Sequence, residues 1–283
     1  GLDINKTTFN KDSHIIPELL GNKYLVSDFE CDNCNHKFSA YESSLAAYLG
    51  IGRTISRIKG KKGTPKFKSS DSKLTATESP FFDAEYSINI QMENVDDELI
   101  EIDEEEGILT VKYVKQGYKP IRVFKALLKI ALSCIKIEDV CYFKEAFKFL
   151  TTDELDSKLN TSIYQTHVYL LPKRSIVPPI GFLFKKRNIG SKIPSHIFVF
   201  YVDKYAFQIV LPFNSIDFGL FMNTDMVIHI CPPLYLYPET DFCKTYFQML
   251  DFSSTETVRE EEILKFAFDK EQYKNGVTTA ISP

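Results

Sequence analysis

The 283-residue chain is long enough to bury a sizeable core, and its 44% hydrophobic and 25% charged residues, with 23 phenylalanines, indicate a globular protein and exclude a disordered one. No window approaches the roughly 18 uninterrupted apolar residues of a membrane span. The net charge of -4 would argue against a polyanionic partner if the charges were evenly spread, but they are clustered.

The first residues, Gly1 to Lys6, lack the apolar segment of a secretory signal, which predicts a cytoplasmic protein with reduced thiols. Because the first residue is not methionine, we expect an upstream segment to have been removed or replaced. Of the six cysteines, only Cys31 and Cys34 have the spacing of metal ligands. The remaining cysteines lie among apolar residues and are predicted to be buried small side chains: Cys134, Cys141, Cys231 and Cys243.

Residues 13–49 carry the most informative motif. His14 opens an apolar run that ends at the turn dipeptide Gly21-Asn22, and the segment 24–26 is predicted to pair back as a second strand. A Cys-x-x-Cys-Asn sequence then leads into a helix that Gly50 and Gly52 are predicted to end. The apolar positions at helical spacing are Phe38, Tyr41, Leu45 and Tyr48 or Leu49.

The next segment, from Arg53 to Lys73, is basic, with Asp71 as its single acid. Gly60, Gly63 and Pro65 exclude one long helix, so a basic loop or ribbon is predicted. Clustered cations neutralise phosphates and release condensed counterions, which favours a nucleic-acid contact over a solvated linker. The candidate nucleic-acid-binding residues are Arg53, Arg57, Lys59, Lys61, Lys62, Lys66 and Lys68.

The polar stretch from Ser69 to Ser79 predicts a boundary between a domain of residues 1–75 and one of residues 76–283. Beyond it, the alternation over 86–92 predicts a strand. A hairpin is predicted for residues 99–102 and 108–114, with its acidic residues in solvent.

Two helices are predicted to form a hairpin over about residues 119–151. Pro120 suits the first turn of one helix, and Glu138-Asp139 begins the other. The first helix has a basic stripe that is predicted to be an ordinary exposed face, the alternative being a second phosphate-contacting surface. This stripe consists of Arg122, Lys125, Lys129 and Lys136.

Short β-rich runs dominate residues 161–283. The strands are predicted at 167–171, 180–184, 196–202, 205–211 and 226–231, and a short helix is predicted near 240–250 with Tyr246 and Met249 on it. Histidines 167, 196 and 229 lie within these runs without partners at ligand spacing, which indicates structural roles. The predicted fold class is therefore α+β.

The order His-Ile-Ile-Pro, Gly-Asn, Cys-x-x-Cys-Asn and then Glu42 resembles the HNH endonuclease superfamily, also called ββα-metal or His-Me finger nucleases. The resemblance is confined to the first quarter of the chain. It implies a small N-terminal ββα-metal core, a hairpin and a helix around one divalent cation, followed here by a larger mixed α+β domain with antiparallel strands and the helical hairpin.

The resemblance implies a role for three side chains. His14 corresponds to the general base that activates water, since an imidazole titrates near working pH. Asn35 corresponds to the helix position that reaches the catalytic Mg²⁺ or Mn²⁺. Glu42, seven residues later and so on the same helical face, is expected to complete or orient the metal shell.

The sequence also departs from the family pattern. Many members carry an acidic metal ligand directly before the histidine, where this chain has Ser13, and Asp12 is one residue away. A Ser-His-Ile-Ile-Pro opening is similar to a variant within the group. The middle asparagine of the family signature has Ser27 or Asp28 nearest its expected place.

The cysteine pair leaves several alternatives open. A structural Zn²⁺ needs four ligands, and related proteins carry a first Cys-x-x-Cys upstream of the histidine. Either that half was lost with the N-terminus, or Cys31 and Cys34 pack as thiols, or His36 joins an incomplete site.

The resemblance thus implies a metal-dependent endonuclease that hydrolyses DNA, or RNA, with the C-terminal domain selecting or restraining the substrate. The alternative is a catalytically inactive protein that uses the same fold to bind nucleic acid. Since HNH cores often cut in pairs, a homodimer is expected. By analogy, the large appended domain suggests a bacterial defence effector controlled by a regulatory ligand or partner protein.

Overall fold

The computed structural model describes residues 7–27, 30–78, 88–92, 99–152, 161–171, 178–187, 192–221, 246–268 and 280–281. The predicted strand at 226–231 lies outside the described residues, as do Asp28, His229, Cys231 and Cys243.

The N-terminal part forms a small hairpin followed by a long helix. Strand β1 (Ser13–His14) precedes a 3₁₀ turn (Glu18–Leu20) and pairs antiparallel with β2 (Val26–Ser27). Helices α1 (Asp32–Leu49) and α2 (Gly52–Ile55) follow. Helix α1 ends at Gly50, whose φ of 58° lies in the left-handed region that glycine tolerates best. The predicted helix and its stop at Gly50 are confirmed, whereas Gly52, also predicted to end the helix, begins α2.

Short strands begin within the basic segment and continue beyond it. Strands β3 (Phe67–Lys68), β4 (Leu74–Glu78) and β5 (Ile88–Met92) form a three-stranded antiparallel sheet. Strands β6 (Ile100–Asp103) and β7 (Ile108–Val114) form the next hairpin, with Glu101 and Asp103 exposed. Both predictions are confirmed.

The helical hairpin is also confirmed, with a shorter second helix than expected. Helix α3 spans Pro120–Ser133, a 3₁₀ turn spans Ile137–Phe143, and α4 spans Lys144–Thr151. Cys134 precedes this turn, Cys141 lies within it, and both are exposed, so the prediction that they are buried is wrong.

A five-stranded antiparallel sheet follows a 3₁₀ turn (Thr161–Tyr164). Its order is β12 (Tyr246–Asp251), β8 (Gln165–Leu170), β11 (Tyr205–Val210), β10 (His196–Val202) and β9 (Ile180–Lys185), and α5 (Phe218–Phe221) comes after β11 in the chain. The predicted helix near 240–250 is wrong, since Tyr246 and Met249 lie in β12 and pair with β8.

The last described strands return to β7. Strand β13 (Glu261–Phe268) pairs antiparallel with both β7 and β14 (Ala280–Ile281), which gives a four-stranded sheet in the order β14-β13-β7-β6. The chain is thus mixed α+β with antiparallel sheets, as predicted. Among the described helices, none is long and apolar enough to cross a membrane.

One large hydrophobic cluster joins the N-terminal helix to the C-terminal half. It contains Leu20 and Leu45 of the N-terminal part, most of α3, and the buried faces of β8, β10 and β11. A second cluster joins Ile51 and Phe67 to β7 and β13. The described residues on both sides of the predicted boundary at 75/76 therefore share their cores, and the division into two domains stays a prediction.

Helix α3 is buried on nearly all sides, including two of its lysines. Lys125 donates hydrogen bonds to the carbonyl oxygens of Phe149, at 3.0 Å, and Thr152. The ammonium of Lys129 reaches back to the N-terminal hairpin. The prediction of an exposed basic stripe is therefore wrong for these two residues, and neither can form a second phosphate-contacting surface.

Candidate active site

The hairpin that carries His14 is held by the side chain of Asn22. Its Nδ2 donates to the carbonyl oxygens of Ile16, at 2.7 Å, and Leu25, at 2.8 Å. Its Oδ1 accepts from the backbone N–H groups of Tyr24, at 3.0 Å, and Leu25, at 2.9 Å. One carboxamide thus satisfies four backbone groups of a loop whose strands are only two residues long.

His14 faces both the protein and the solvent. Its side chain is 20% exposed, and Nε2 lies 3.9 Å from a carboxylate oxygen of Glu18, four residues later in the chain. Nδ1 is buried and has no hydrogen-bond partner among the described residues. A buried imidazole nitrogen without a partner is uncommon, and such an atom marks a place where water or a ligand can bind.

Lys129 of α3 inserts its ammonium between the hairpin and α1. It donates to the His14 carbonyl oxygen and lies 3.2 Å from Glu42 Oε1 and 3.4 Å from Glu30 Oε2. The three side chains are only 3%, 15% and 7% exposed in the order Lys129, Glu42, Glu30. Two carboxylates and one ammonium leave this cluster one negative charge in excess when all three are ionised.

The electrostatics of Glu42 follow from that burial. Loss of water raises its pKa, the ammonium of Lys129 opposes the rise, and the second carboxylate, Glu30, adds to it, so that the pKa is raised overall. Glu30 itself has one carboxylate oxygen, Oε1, that is buried without a hydrogen bond from the described part of the chain. Glu42, expected to face a metal ion, therefore faces an internal cation.

Asn35 and Asp12, the implied ligands of the catalytic metal, make no described hydrogen bond or ion pair with this cluster. Asn35 is half-buried on α1, about two turns before Glu42, and its backbone N–H bonds to the Cys31 carbonyl oxygen at 2.9 Å. Asp12 is exposed. Within the described ranges, no group of three or more His, Cys, Asp and Glu side chains is arranged to hold a metal ion.

Asp32 fixes the segment before β1 to the start of α1. Its carboxylate accepts from the Thr8 hydroxyl, at 2.6 Å, and from the backbone N–H groups of Asn10 and Lys11, at 3.1 and 3.0 Å. The bonds from Thr8 and Asn10 lower its pKa. The chain entering β1 is thereby tied to the helix that carries Asn35.

The cysteine pair lies at the beginning of α1. Cys31 occupies the residue before the first helical turn and is buried, while Cys34 is half-buried against the main cluster. Burial, together with the neighbouring Cys31 thiol, raises the pKa of Cys34 to about 12. Both cysteines are free, His36 is exposed on the helix, and a zinc site at the pair stays a prediction.

The basic segment packs against the turn that follows His14. Arg53 Nη2 donates to the Leu19 carbonyl oxygen at 2.8 Å. A Cβ at Gly60 would lie 3.5 Å from the Cα of Leu19, an ordinary van der Waals contact, so the segment lies directly against this turn. Gly60 and Gly63 exchange backbone hydrogen bonds around a tight turn that carries Lys61 and Lys62 at its exposed tip.

The cations of this segment differ in their surroundings. Arg57 pairs with Glu78 at 3.6 Å. Lys66 and Lys68 are exposed, as is Lys59. The predicted nucleic-acid-binding residues therefore do not form one uniform surface.

Three residues of the site were not predicted from the sequence. Lys129 and Glu30 lack any motif that would single them out, and Asn22 was read only as a turn residue. A signal for Asn22 existed, since asparagine in a short loop often bonds the backbone with its side chain. Comparison of the chain with known protein families, with curated proteins and with solved structures finds no match.

Proposed function

We propose that this protein is an endonuclease of the HNH type that hydrolyses phosphodiester bonds in DNA, or RNA, with His14 as the general base. The observation that carries the proposal is the position of His14. It lies on the first strand of a hairpin that directly precedes α1, with its ring partly exposed and Nδ1 buried without a partner. Because 20% of the side chain is exposed, water and a phosphate can approach the ring from its solvent side.

In the proposed reaction, neutral His14 takes a proton from water as the water oxygen attacks phosphorus. The bond from phosphorus to the 3′ oxygen breaks, and the departing 3′ oxygen takes a proton from solvent. The carboxylate of Glu18, 3.9 Å from Nε2, stabilises the imidazolium that forms. Asn22 acts indirectly, because it fixes the loop between the two strands.

A divalent cation, Mg²⁺ or Mn²⁺, is the cofactor that the resemblance implies, with Asn35 and Asp12 as its proposed ligands. The described side chains do not fit a complete site for this ion. Glu42 is engaged by Lys129, Ser13 stands where an acid is expected, and Asp12 is exposed. No step of the proposed reaction is therefore assigned to the ion.

The poor fit of these side chains to a divalent cation favours the second candidate, a protein that binds nucleic acid without cutting it. The specific observation is the ion pair between Glu42 and Lys129, which removes a carboxylate that a metal would need. A regulatory ligand or partner, pairing into a homodimer, and a role in defence remain proposals. A cytoplasmic location also remains a proposal, in keeping with the free thiols of Cys31 and Cys34.

The experiment is cleavage of supercoiled plasmid, single-stranded DNA and RNA by purified protein with Mg²⁺, Mn²⁺ or EDTA. The matched control for His14→Ala is His36→Ala, since His36 is an exposed histidine of α1. We expect divalent-dependent cleavage by the wild type and by His36→Ala, and none by His14→Ala. Salt-sensitive binding with no cleavage under any ion would instead establish the second candidate.

A further inference from the structure

A cleft of about 410 Å³ lies between α1, α2 and β3. Small side chains of α1, including Ala46 and Ala47, line it together with Lys66 and Lys68 of the segment that contains β3. Thr54 of α2 binds this segment, because its hydroxyl donates to the Pro65 carbonyl oxygen at 2.9 Å.

The charge of this cleft is uniformly positive. Arg53, Lys66 and Lys68 line it, together with the polar side chains of Ser43 and Gln116, and its lining includes neither aspartate nor glutamate. Within the described part of the chain, none of the three cations has a carboxylate partner. Three like charges converge on one space and are not neutralised there, which is what a site for an anion requires.

Arg53 provides the observation that points to a ligand. Its Nη2 is bonded to the Leu19 carbonyl oxygen, but Nε is buried and donates no hydrogen bond in the described structure. Burial without a compensating carboxylate lowers the pKa of this guanidinium. Desolvating a charged side chain costs free energy that the electrostatic attraction of an anion in the adjacent cleft would partly offset.

The cleft also adjoins the candidate active site. Leu19, which lines it and binds Arg53, is five residues after His14 in the turn between β1 and β2. An elongated polyanion held at the cleft would therefore lie beside the hairpin that carries the imidazole.

We propose that this cleft binds a phosphate group of the nucleic-acid backbone. The partly buried guanidinium of Arg53 and the exposed ammonium groups of Lys66 and Lys68 supply its positive charge. The inference rests on the proposed function, since the phosphate belongs to the strand on which His14 acts. The proposal assigns the phosphate contact to only part of the basic segment, because Lys61 and Lys62 lie outside the cleft at the tip of their turn.

The test is binding of a fluorescent 20-base-pair DNA duplex to the full chain in EDTA, measured by anisotropy over a range of salt concentrations. The decisive variant is K66A/K68A. We expect a loss of affinity of about tenfold or more and a salt slope smaller by roughly 1, because the cleft holds one phosphate. The charge-matched control is K144A/K148A, which removes two exposed lysines of α4 and is expected to leave affinity within about twofold.

A third variant, K61A/K62A, separates the cleft from the net charge of the segment. The proposal predicts a smaller loss for it than for K66A/K68A. Equal losses, or no loss in K66A/K68A, would overturn the proposal. Calorimetric titration with pyrophosphate tests whether the cleft instead binds a free phosphate compound. Tighter binding of pyrophosphate than of the duplex would overturn the assignment to nucleic acid.

The readouts also separate this proposal from the proposed function. Cleavage and duplex affinity are therefore measured on the same preparations of the wild type and of K66A/K68A. If the wild type binds the duplex through the cleft but never cleaves it, the phosphate site is supported and the nuclease function is refuted. If K66A/K68A cleaves and binds the duplex like the wild type, the nuclease function is supported and the phosphate site is refuted.

Discussion

The ammonium of Lys129 lies 3.2 Å from the carboxylate of Glu42, although the two residues are 87 positions apart in the chain. The same ammonium binds the His14 carbonyl oxygen and pairs with Glu30. Helix α3, from the middle of the chain, therefore holds the N-terminal hairpin on α1. A side chain outside the motif supports the residue on which the proposed chemistry depends.

Replacing Lys129 by methionine should destabilise the protein strongly. The variant leaves Glu30 and Glu42 buried without their counter-ion, and breaking a buried pair in this way costs about 3–5 kcal/mol. Urea unfolding at pH 7 measures the change.

The matched control is Lys148→Met. Lys148 pairs with Glu145 at 3.6 Å on the exposed face of α4, where solvent screens the interaction, so a much smaller change is expected. The triple variant K129M/E30Q/E42Q should recover part of the loss, because it removes the unpaired charges as well. Equal effects of K129M and K148M would show that Lys129 is not a structural counter-ion.

Glu42 and Glu262 should give opposite pH dependences. Burial raises the pKa of Glu42 above its ordinary value of 4.5, so the folded protein binds this proton more tightly than the unfolded chain. Stability from this group therefore falls as pH rises from about 4.5. The free energy of unfolding of the wild type minus that of E42Q should decrease over this range.

For Glu262, burial also acts to raise the pKa, but Lys115 and Lys204 outweigh it and the pKa is lowered. Its contribution is present above pH 4.5 and is lost as pH falls through the folded-state pKa. The difference between wild type and E262Q should therefore increase with pH. Differences that move in the same direction for both variants would refute this assignment.

Asn22→Ala should loosen the hairpin that carries His14. The variant leaves four backbone groups without their side-chain partner, which we expect to cost about 1–2 kcal/mol in a partly exposed loop. Hydrogen exchange of the amides at 24 and 25 reports the local change, and urea unfolding reports the global one. Asn33→Ala, an exposed asparagine on α1, is the control. Unchanged exchange at both amides in Asn22→Ala would show that the Asn22 side chain does not hold the loop.

The sequence predicted the elements whose stabilisation is local. Helix α1 was recognisable from the spacing of its apolar residues and from Gly50, and β10 and β11 from their β-rich composition and tight turn. In contrast, Tyr246 and Met249 have a helical spacing, yet their segment pairs with β8. That pairing joins residues about eighty positions apart, and no local pattern reveals it.

The candidate site was predictable to the same extent. His14 and Asn35 belong to a local motif that a reader can recognise. Lys129 could not be predicted as part of the site, because a lysine on a helix ordinarily lies in solvent and its partners here are brought to it by packing of α3 against α1.

Cys34 should react slowly with iodoacetamide at pH 8. Its pKa is raised to about 12, mainly by burial, so only a small fraction of the thiol is the reactive thiolate at that pH. Peptide mass spectrometry over time measures the rate, with the exposed Cys141 as the internal control. The rate at Cys34 should continue to rise above pH 10. Modification of Cys34 as fast as Cys141 at pH 8 would contradict this environment.

The central claim, that His14 is a general base, is tested most directly by chemical rescue. Plasmid cleavage by His14→Ala is measured with increasing imidazole, at a folded fraction matched to the wild type by circular dichroism. Because the His14 side chain is partly exposed, free imidazole can reach the space that the variant leaves. If His14 is the general base, we expect no cleavage without imidazole and a rate that rises with the imidazole concentration. Cleavage at the wild-type rate without imidazole would contradict it.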